Sequence, residues 1–227
     1  MQVKSTNQPR ALYSELKSKY AGRGAIITDS YLMLMKSIQG TITTVQFDVL
    51  NNVGTPTVNE VRLNITDRFC VREMSMFLAK AGASTAATNA EVSVARPSTF
   101  PNLNIFTGAN EAANLEAVYN GNLRVVIDSV VYYQSLDTRR FYRAGQAQQG
   151  TAVSSVATTG IQARDQYDML NYAFSPVYPT FELNGIGKNE VTLTIPNPTV
   201  LSGTSSQNFV CLLMRGFLVQ NINQSTR

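Results

Sequence analysis

The sequence predicts a mostly β fold with a short N-terminal helix and long loops between the strands. Several stretches alternate apolar and polar residues with the period of two that a half-buried strand requires, and they are rich in Val, Ile, Thr and aromatic residues. Clusters of Asn, Gly and Pro separate these stretches and predict turns. No fixed-period repeat is present, which argues against a propeller or a solenoid.

About nine to twelve strands fit this alternation. The clearest of them, in chain order, are residues 31–38, 41–50, 58–65, 69–79, 123–133, 181–183, 190–195 and 209–219. Residues 31–38 (YLMLMKSI) also fit a helical turn, and the neighbouring strands favour a strand there. In the third stretch we expect Val61, Leu63 and Ile65 to face the core. Residues 184–189 (NGIGKN) predict the turn of a β-hairpin between the two strands that flank them.

A short helix is predicted near the N-terminus, over residues 9–20. Leu12, Leu16 and Tyr20 are spaced by four, so that they would form one apolar face of this helix. Two glycines soon after Tyr20 end the helical pattern.

The whole net charge of +4 lies in residues 1–24. This segment has a single acidic residue, Glu15, and five cations, which are Lys4, Arg10, Lys17, Lys19 and Arg23. The rest of the chain has equal numbers of basic and acidic residues. We therefore divide the chain into a basic N-terminal arm (1–24), a body (25–222) and a polar tail (223–227). A basic arm on a neutral body is typical of a shell whose arms face inward, toward nucleic acid or an anionic membrane. The alternatives are a solvated terminus and a helix that docks on a neighbour through its apolar face.

Long insertions separate some of the strands. Residues 81–90 and 97–108 predict loops, and the second loop leads into a short helix at 109–119. Residues 144–160 (AGQAQQGTAVSSVATTG) are low in complexity and almost without charge. Such insertions suit a jelly roll, in which loops at the ends of the barrel carry contacts, and about eight strands make one jelly roll. A higher count would instead favour two small barrels in tandem, with a divide near 144–160. The strand count leaves both arrangements open.

The composition argues against an enzyme or a metal protein. The chain has no His, which is the commonest general base and metal ligand, and no Trp. Cys70 and Cys211 lie in apolar runs, too far apart for a CxxC motif or a zinc site. We expect two buried free thiols, with a disulfide as the alternative. No cofactor and no small-molecule substrate is indicated. No stretch reaches the roughly 18 apolar residues that span a bilayer, and no signal peptide is recognisable, so we expect a soluble protein made in a cytoplasm.

A cluster of basic and aromatic residues follows the strand at 123–133. Its members are Arg139, Arg140, Phe141, Tyr142 and Arg143. Arg and aromatic residues are enriched where protein subunits meet, and this favours a subunit contact. The alternatives are a strand end whose arginines pair with nearby acids, and a surface on which single-stranded nucleic acid stacks.

The low charge of the chain favours a protein that packs against copies of itself. Charged residues make up 15% of it, against about 25% in a typical globular protein, and depletion of charge is a mark of interface cores. A Thr- and Asn-rich β domain without such a role is the alternative.

Residues 25–222 combine short Thr- and Asn-rich strands with three longer features. These are the loop PSTFPNLNIFTG, the segment FELNGIGKNEVTLTIP and a closing strand that ends in RGFLVQN. In this overall character the chain resembles the jelly-roll capsid proteins of small icosahedral, tailless bacteriophages. The resemblance implies a structural virion protein, namely a major capsid protein that assembles, often through trimers, into an icosahedral shell. It implies other virion proteins as partners, together with the genome or an internal membrane through the inward-facing arm. The alternatives are a minor or vertex capsid protein and a carbohydrate-binding β-sandwich module of a phage fibre or adhesin. The lack of Trp counts against the carbohydrate-binding module.

Overall fold

The computed structural model describes residues 8–82, 87–144, 173–196, 201 and 206–222. In these residues the strands are β1 (Ile26–Ser37), β2 (Thr44–Phe47), β3 (Arg68–Ala81), β4 (Asn122–Ile127), β5 (Val130–Asp137), β6 (Ser175–Asn184), β7 (Asn189–Thr194) and β8 (Gln207–Gln220). The helices are α1 (Gln8–Lys19), α2 (Asn89–Ser93) and α3 (Glu111–Tyr119), and a 3₁₀ helix (Thr138–Phe141) follows β5.

The strands form two four-stranded antiparallel sheets. The first sheet has the order β1-β8-β3-β6 and the second the order β2-β7-β4-β5. The pairing is nested, since β1 pairs with β8, β2 with β7, β3 with β6 and β4 with β5. The first four strands therefore pair, in reverse order, with the last four, and the turn between β4 and β5 is the midpoint of this pairing. The further pairs β3·β8 and β4·β7 complete the two sheets. The predicted mostly β fold is confirmed.

The main core lies between the two sheets. Phe69 and Leu212 of the first sheet and Leu123 and Leu193 of the second are members of one buried cluster. Each fully buried aliphatic or aromatic side chain stabilises the fold by about 1.5–3 kcal/mol. The outer face of the first sheet is also apolar, which explains why β8 reads as a nearly continuous apolar run rather than an alternating one. The sandwich is thus buried on three sheet faces over much of its length.

Helices cover that outer face at two places. Phe77, Cys211 and Val92 of α2 belong to a second buried cluster. Cys70 and Phe217 belong to a third cluster, which lies beneath α1. The predicted strands 31–38, 69–79 and 209–219 are confirmed, and so are the helices near 9–20 and 109–119.

The predicted single strand at 123–133 is instead a hairpin of β4 and β5. Asp128 and Ser129 both have positive φ, 49° and 71°, as the two central residues of a tight hairpin turn require. The pair Asp-Ser lacks the glycine that usually marks such a turn, so the sequence reads as one continuous strand.

The predicted hairpin around 184–189 is wrong, because β6 and β7 lie in different sheets. The turn itself is present, and the Asn184 N–H donates to Asn189 Oδ1 at 3.0 Å. The Gly185 N–H donates to the Asp67 carbonyl at 2.9 Å, and a Cβ at Gly185 would collide with the Asn64 carbonyl oxygen. The turn therefore packs against the loop at residues 64–67, just before β3. It connects β6 in the first sheet to β7 in the second.

Residues 58–65 form no regular strand, but they make one isolated bridge to β1 and another to the segment just after β2. Val61 bridges to Met33 of β1, and Leu63 bridges to Leu50 just after β2. Leu63 is buried as expected, whereas Val61 and Ile65 are exposed, contrary to prediction. The segment closes the edge of the sandwich at which β1 and β2 lie, and a chain that bonds to two sheets cannot keep the regular alternation of a strand.

Strands before and after residues 145–172 pair with one another in both sheets, for example β3 with β6 and β4 with β7. The low-complexity stretch 144–160 lies outside the described residues except for Ala144, and so does the tail 223–227.

Candidate functional site

The basic arm is docked on the body rather than separate from it. Leu16 and Tyr20 are buried against Cys70 and Phe217 on the outer face of the first sheet, and Leu12 packs beside them. The predicted apolar face of the helix is confirmed, and it contacts its own sheet. This docking fixes where the cations of the arm are displayed.

A carboxylate on β6 anchors the end of α1. Glu182 accepts hydrogen bonds from Lys19 Nζ at 2.8 Å, from Arg68 Nη1 at 3.1 Å and from the Tyr20 hydroxyl. Burial on its own would raise the pKa of Glu182, but the hydrogen bonds from Lys19 and Tyr20 outweigh it and hold the pKa below its ordinary value. We call these four residues the Glu182 cluster. Lys19 is therefore used to hold the arm in place.

Three other cations of the arm remain on the surface. Arg10, Lys17 and Arg23 are exposed, and none of the ion pairs within the described residues includes them. Lys4 lies outside the described residues. The five predicted arm residues thus divide into one anchor, three displayed cations and one whose position is not described.

The predicted contact cluster at 139–143 also divides. Phe141 is buried in the main core, and the Tyr142 ring meets the Tyr119 ring edge-on at 5.2 Å. The Tyr142 hydroxyl donates to Glu116 Oε1 at 2.9 Å, and burial together with that bond raises the pKa of Tyr142 to about 12. The two aromatic residues therefore hold the 3₁₀ helix on the body.

The arginines of this cluster differ in exposure. Arg139 and Arg140 are exposed, and no ion pair within the described part of the chain includes them. Arg143 is half-buried, and its backbone N–H donates to the Thr99 carbonyl at 3.2 Å. Arg139 and Arg140 are the members of the cluster that remain available for a contact with another molecule.

Local structure protects the edge strands β1 and β6 and the segment just after the edge strand β2. The N–H groups of Met33 and Met35 on β1 donate to the Val61 carbonyl and to Glu60 Oε1, each at 2.9 Å. The segment after β2 is bonded to Leu63 in the same way. The edge strand β6 contains two prolines, Pro176 and Pro179, which lack the N–H that strand pairing needs.

The edge strand β5 has none of these devices among the residues that the structure describes. Within those residues it pairs with β4 alone, and its sequence VVYYQSLD contains no proline and no cation. Val130 and Val131 are 57% and 45% exposed, and Tyr133 donates its hydroxyl hydrogen to the Pro179 carbonyl at 3.0 Å. Register shifts interrupt the β4·β5 pairing, so this edge is suited to contacts by side chains rather than to the addition of another strand. This surface is not apparent from the sequence, because residues 123–133 read as a single strand.

The two cysteines are buried free thiols, as predicted. Burial raises the pKa of each to about 12. Since the thiolate is the reactive form, neither cysteine is suited to nucleophilic or redox chemistry in the folded protein.

Within the described ranges, no group of three His, Cys, Asp or Glu side chains is arranged to hold a metal ion. None of the helices that the structure describes is long and apolar enough to cross a membrane. No protein-family model matches the sequence, and the curated proteins contain no significant match to it.

Proposed function

We propose that this protein is a structural coat subunit, built on a single jelly roll, that assembles with copies of itself into an icosahedral virus shell. The observation that carries the proposal is the nested pairing of eight antiparallel strands in the orders β1-β8-β3-β6 and β2-β7-β4-β5. Two four-stranded sheets that share one core in this way support a jelly roll, a fold common among viral capsid proteins.

The surface supports the assembly part of the proposal. The β5 edge exposes two valines and lacks cations, and Arg139 and Arg140 follow it directly in the chain. Tyrosine and arginine are among the residue types that dominate binding energy at protein interfaces, and β5 also contains the half-buried Tyr132 and Tyr133. We assign the contacts between subunits to this edge and the inner surface of the shell to the face that carries α1.

Electron microscopy of the purified full-length protein, together with its mass in solution, tests the proposal. We expect trimers or larger oligomers in solution, and closed shells or flat hexagonal arrays on the grid. A protein that remains monomeric in solution and forms neither shells nor arrays on the grid, at every protein concentration, pH and salt concentration tried, would refute the assembly role. If shells form, the number of copies of the protein in each purified particle would separate a major coat protein from a minor or vertex one.

A carbohydrate-binding module is the second candidate, because lectin domains share this architecture. Tyr31 and Tyr178 are about half exposed, and aromatic rings on a surface are where sugars stack. A glycan array separates the two candidates. A monomer with glycan binding that is lost in Tyr31→Ala or Tyr178→Ala would favour the module over the coat subunit.

A further inference from the structure

One flank of α1 displays cations and an aromatic ring together. Arg10, Tyr13 and Lys17 are spaced by three and four, which places them on one side of the helix. This side of the helix lies at the boundary between the sheet and solvent. The Tyr13 ring packs with its centre 5.7 Å from that of Phe217 on β8, and 40% of Tyr13 remains exposed. Arg23 is an exposed cation just beyond the end of the helix, with its guanidinium 6.0 Å from the centre of the Tyr20 ring. We call these four residues, Arg10, Tyr13, Lys17 and Arg23, the basic flank.

The acidic groups near α1 leave this flank positive. Glu15 lies on the opposite side, where it lines the cleft between α1 and β6, and Glu182 is already neutralised by Lys19 and Arg68. Asp29 is closer, since it is the cross-strand partner of Phe217. Three cations against Asp29 still favour a polyanion over a neutral or cationic partner.

The docking of α1 favours nucleic acid over a membrane. An amphipathic helix binds a bilayer by inserting its apolar face among the lipids. In α1 that face, formed by Leu12, Leu16 and Tyr20, is already packed on the sheet. The exposed side instead offers a tyrosine ring between cations, and this combination binds single strands because bases stack on aromatic rings while cations meet the phosphates.

We propose that the basic flank binds single-stranded nucleic acid, with Arg10, Lys17 and Arg23 contacting phosphates and Tyr13 stacking on a base. Arg10 and Lys17 are seven positions apart, a rise of about 10 Å along the helix, so they would contact different phosphates of one strand. The inference deepens the proposed function, since many copies in one shell would multiply a contact that is weak for one chain. The binding itself is a property of the single chain.

The proposal predicts how steeply the binding affinity falls with salt concentration. Three phosphate contacts to a single strand predict a slope of about −2 for log K against log[salt]. Affinity should then fall about 20-fold between 50 and 200 mM salt. This slope can be measured by fluorescence anisotropy, with a labelled oligothymidylate about 30 nucleotides long titrated with the full-length protein at several salt concentrations.

Single substitutions assign the binding to the flank. Arg10→Gln and Lys17→Gln should each reduce the magnitude of the slope by about 0.7. Tyr13→Leu, which keeps an apolar contact with Phe217, should weaken binding by about fivefold or more at an unchanged slope. Asp29→Asn should strengthen binding, because it removes a repulsive charge. Arg96→Gln, a change of an exposed cation outside the flank, should have no effect.

Several outcomes would overturn the inference. One is oligonucleotide binding that the Arg10, Lys17 and Tyr13 substitutions leave unchanged, and another is binding lost on Arg139→Gln alone. A third is binding to phosphatidylserine vesicles without binding to the oligonucleotide. A chain that assembles into shells but does not bind refutes this inference alone, whereas a chain that binds but never assembles refutes the proposed function alone.

Discussion

Replacing Glu182 with Gln tests how α1 is held on the sheet. The carboxylate of Glu182 is 15% exposed and accepts bonds from Lys19, Tyr20 and Arg68. A hydrogen bond to a charged group contributes about 1.5–3 kcal/mol. The pair with Lys19, whose side chain is 53% exposed, adds less than about 1 kcal/mol because solvent screens it. An amide can keep part of this bonding, so we expect Glu182→Gln to lower the free energy of unfolding by about 2 kcal/mol.

Two measurements check this value. For a chain of this size, about 2 kcal/mol corresponds to a fall of about 4–8 °C in Tm. Hydrogen exchange should locate the loss, because a 12-residue helix is marginal alone and its amides would lose protection before the strands do. Glu190→Gln is the matched control. Glu190 pairs near the surface with Lys188 and Arg124, whose side chains are 77% and 40% exposed, and its loss should change Tm little because solvent screens both pairs. Wild-type Tm and α1 protection in Glu182→Gln would refute the anchoring role.

The pKa of Glu182 predicts how this stabilisation depends on pH. Burial raises that pKa, but the bonds from Lys19 and Tyr20 hold it below 4.5 in the folded protein. A carboxyl whose folded pKa is lower than its unfolded pKa stabilises the fold above the unfolded value, and the contribution is lost as the pH falls through the folded pKa. The urea midpoints of wild type and Glu182→Gln should therefore differ at pH 7 and converge as the pH falls through the folded pKa, which is lower than 4.5. A difference that stays constant as the pH falls through the acid range would contradict the assignment.

Three further changes test other parts of the molecule. Glu111→Gln removes a buried carboxylate bonded to Lys80 and Asn208, and urea denaturation should show a loss of about 3 kcal/mol. Both thiols should resist a thiol reagent in the native protein and react fully in denaturant, because burial raises their pKa to about 12; fast reaction of native Cys70 would mean that α1 leaves the sheet readily. Val131→Lys on the β5 edge should reduce assembly without lowering Tm, whereas Val94→Lys, at another exposed valine, should assemble normally; equal assembly of both variants would move the contact elsewhere.

Sequence periodicity predicted the strands whose two faces differ or are both buried. β3 and β8 read as long apolar runs because they lie in the middle of the first sheet, with core on one side and α1 or α2 on the other. Residues 58–65 read as a strand because Leu63 and its neighbours alternate. In the structure Leu63 is buried but Val61 and Ile65 are exposed, because the segment makes single bridges to β1 and to Leu50. Short-range periodicity does not distinguish such single bridges from one regular ladder.

The interaction surfaces were harder to predict than the core. The cluster at 139–143 combines residues of opposite roles, since Phe141 is buried in the core while Arg139 and Arg140 are exposed. Composition alone assigns all five to one surface. The ion pair between Lys19 and Glu182 could not be predicted from the sequence either. The two residues are 163 positions apart, and only the nested strand order brings α1 beside β6.

The docking of α1 changes how the arm should be tested. Deletion of residues 1–24 would remove five cations, but it would also uncover Cys70, Phe217 and Val219, which are buried beneath the helix. The resulting apolar patch would itself promote association, so a truncated chain could aggregate whether or not its cations bind a genome. Substitutions at Arg10 and Lys17 change the charge without exposing the sheet, because both side chains are exposed and belong to no ion pair within the described residues. The packing role of the arm and its charge are therefore separable, with the first assigned to the buried face of α1 and the second to its exposed flank.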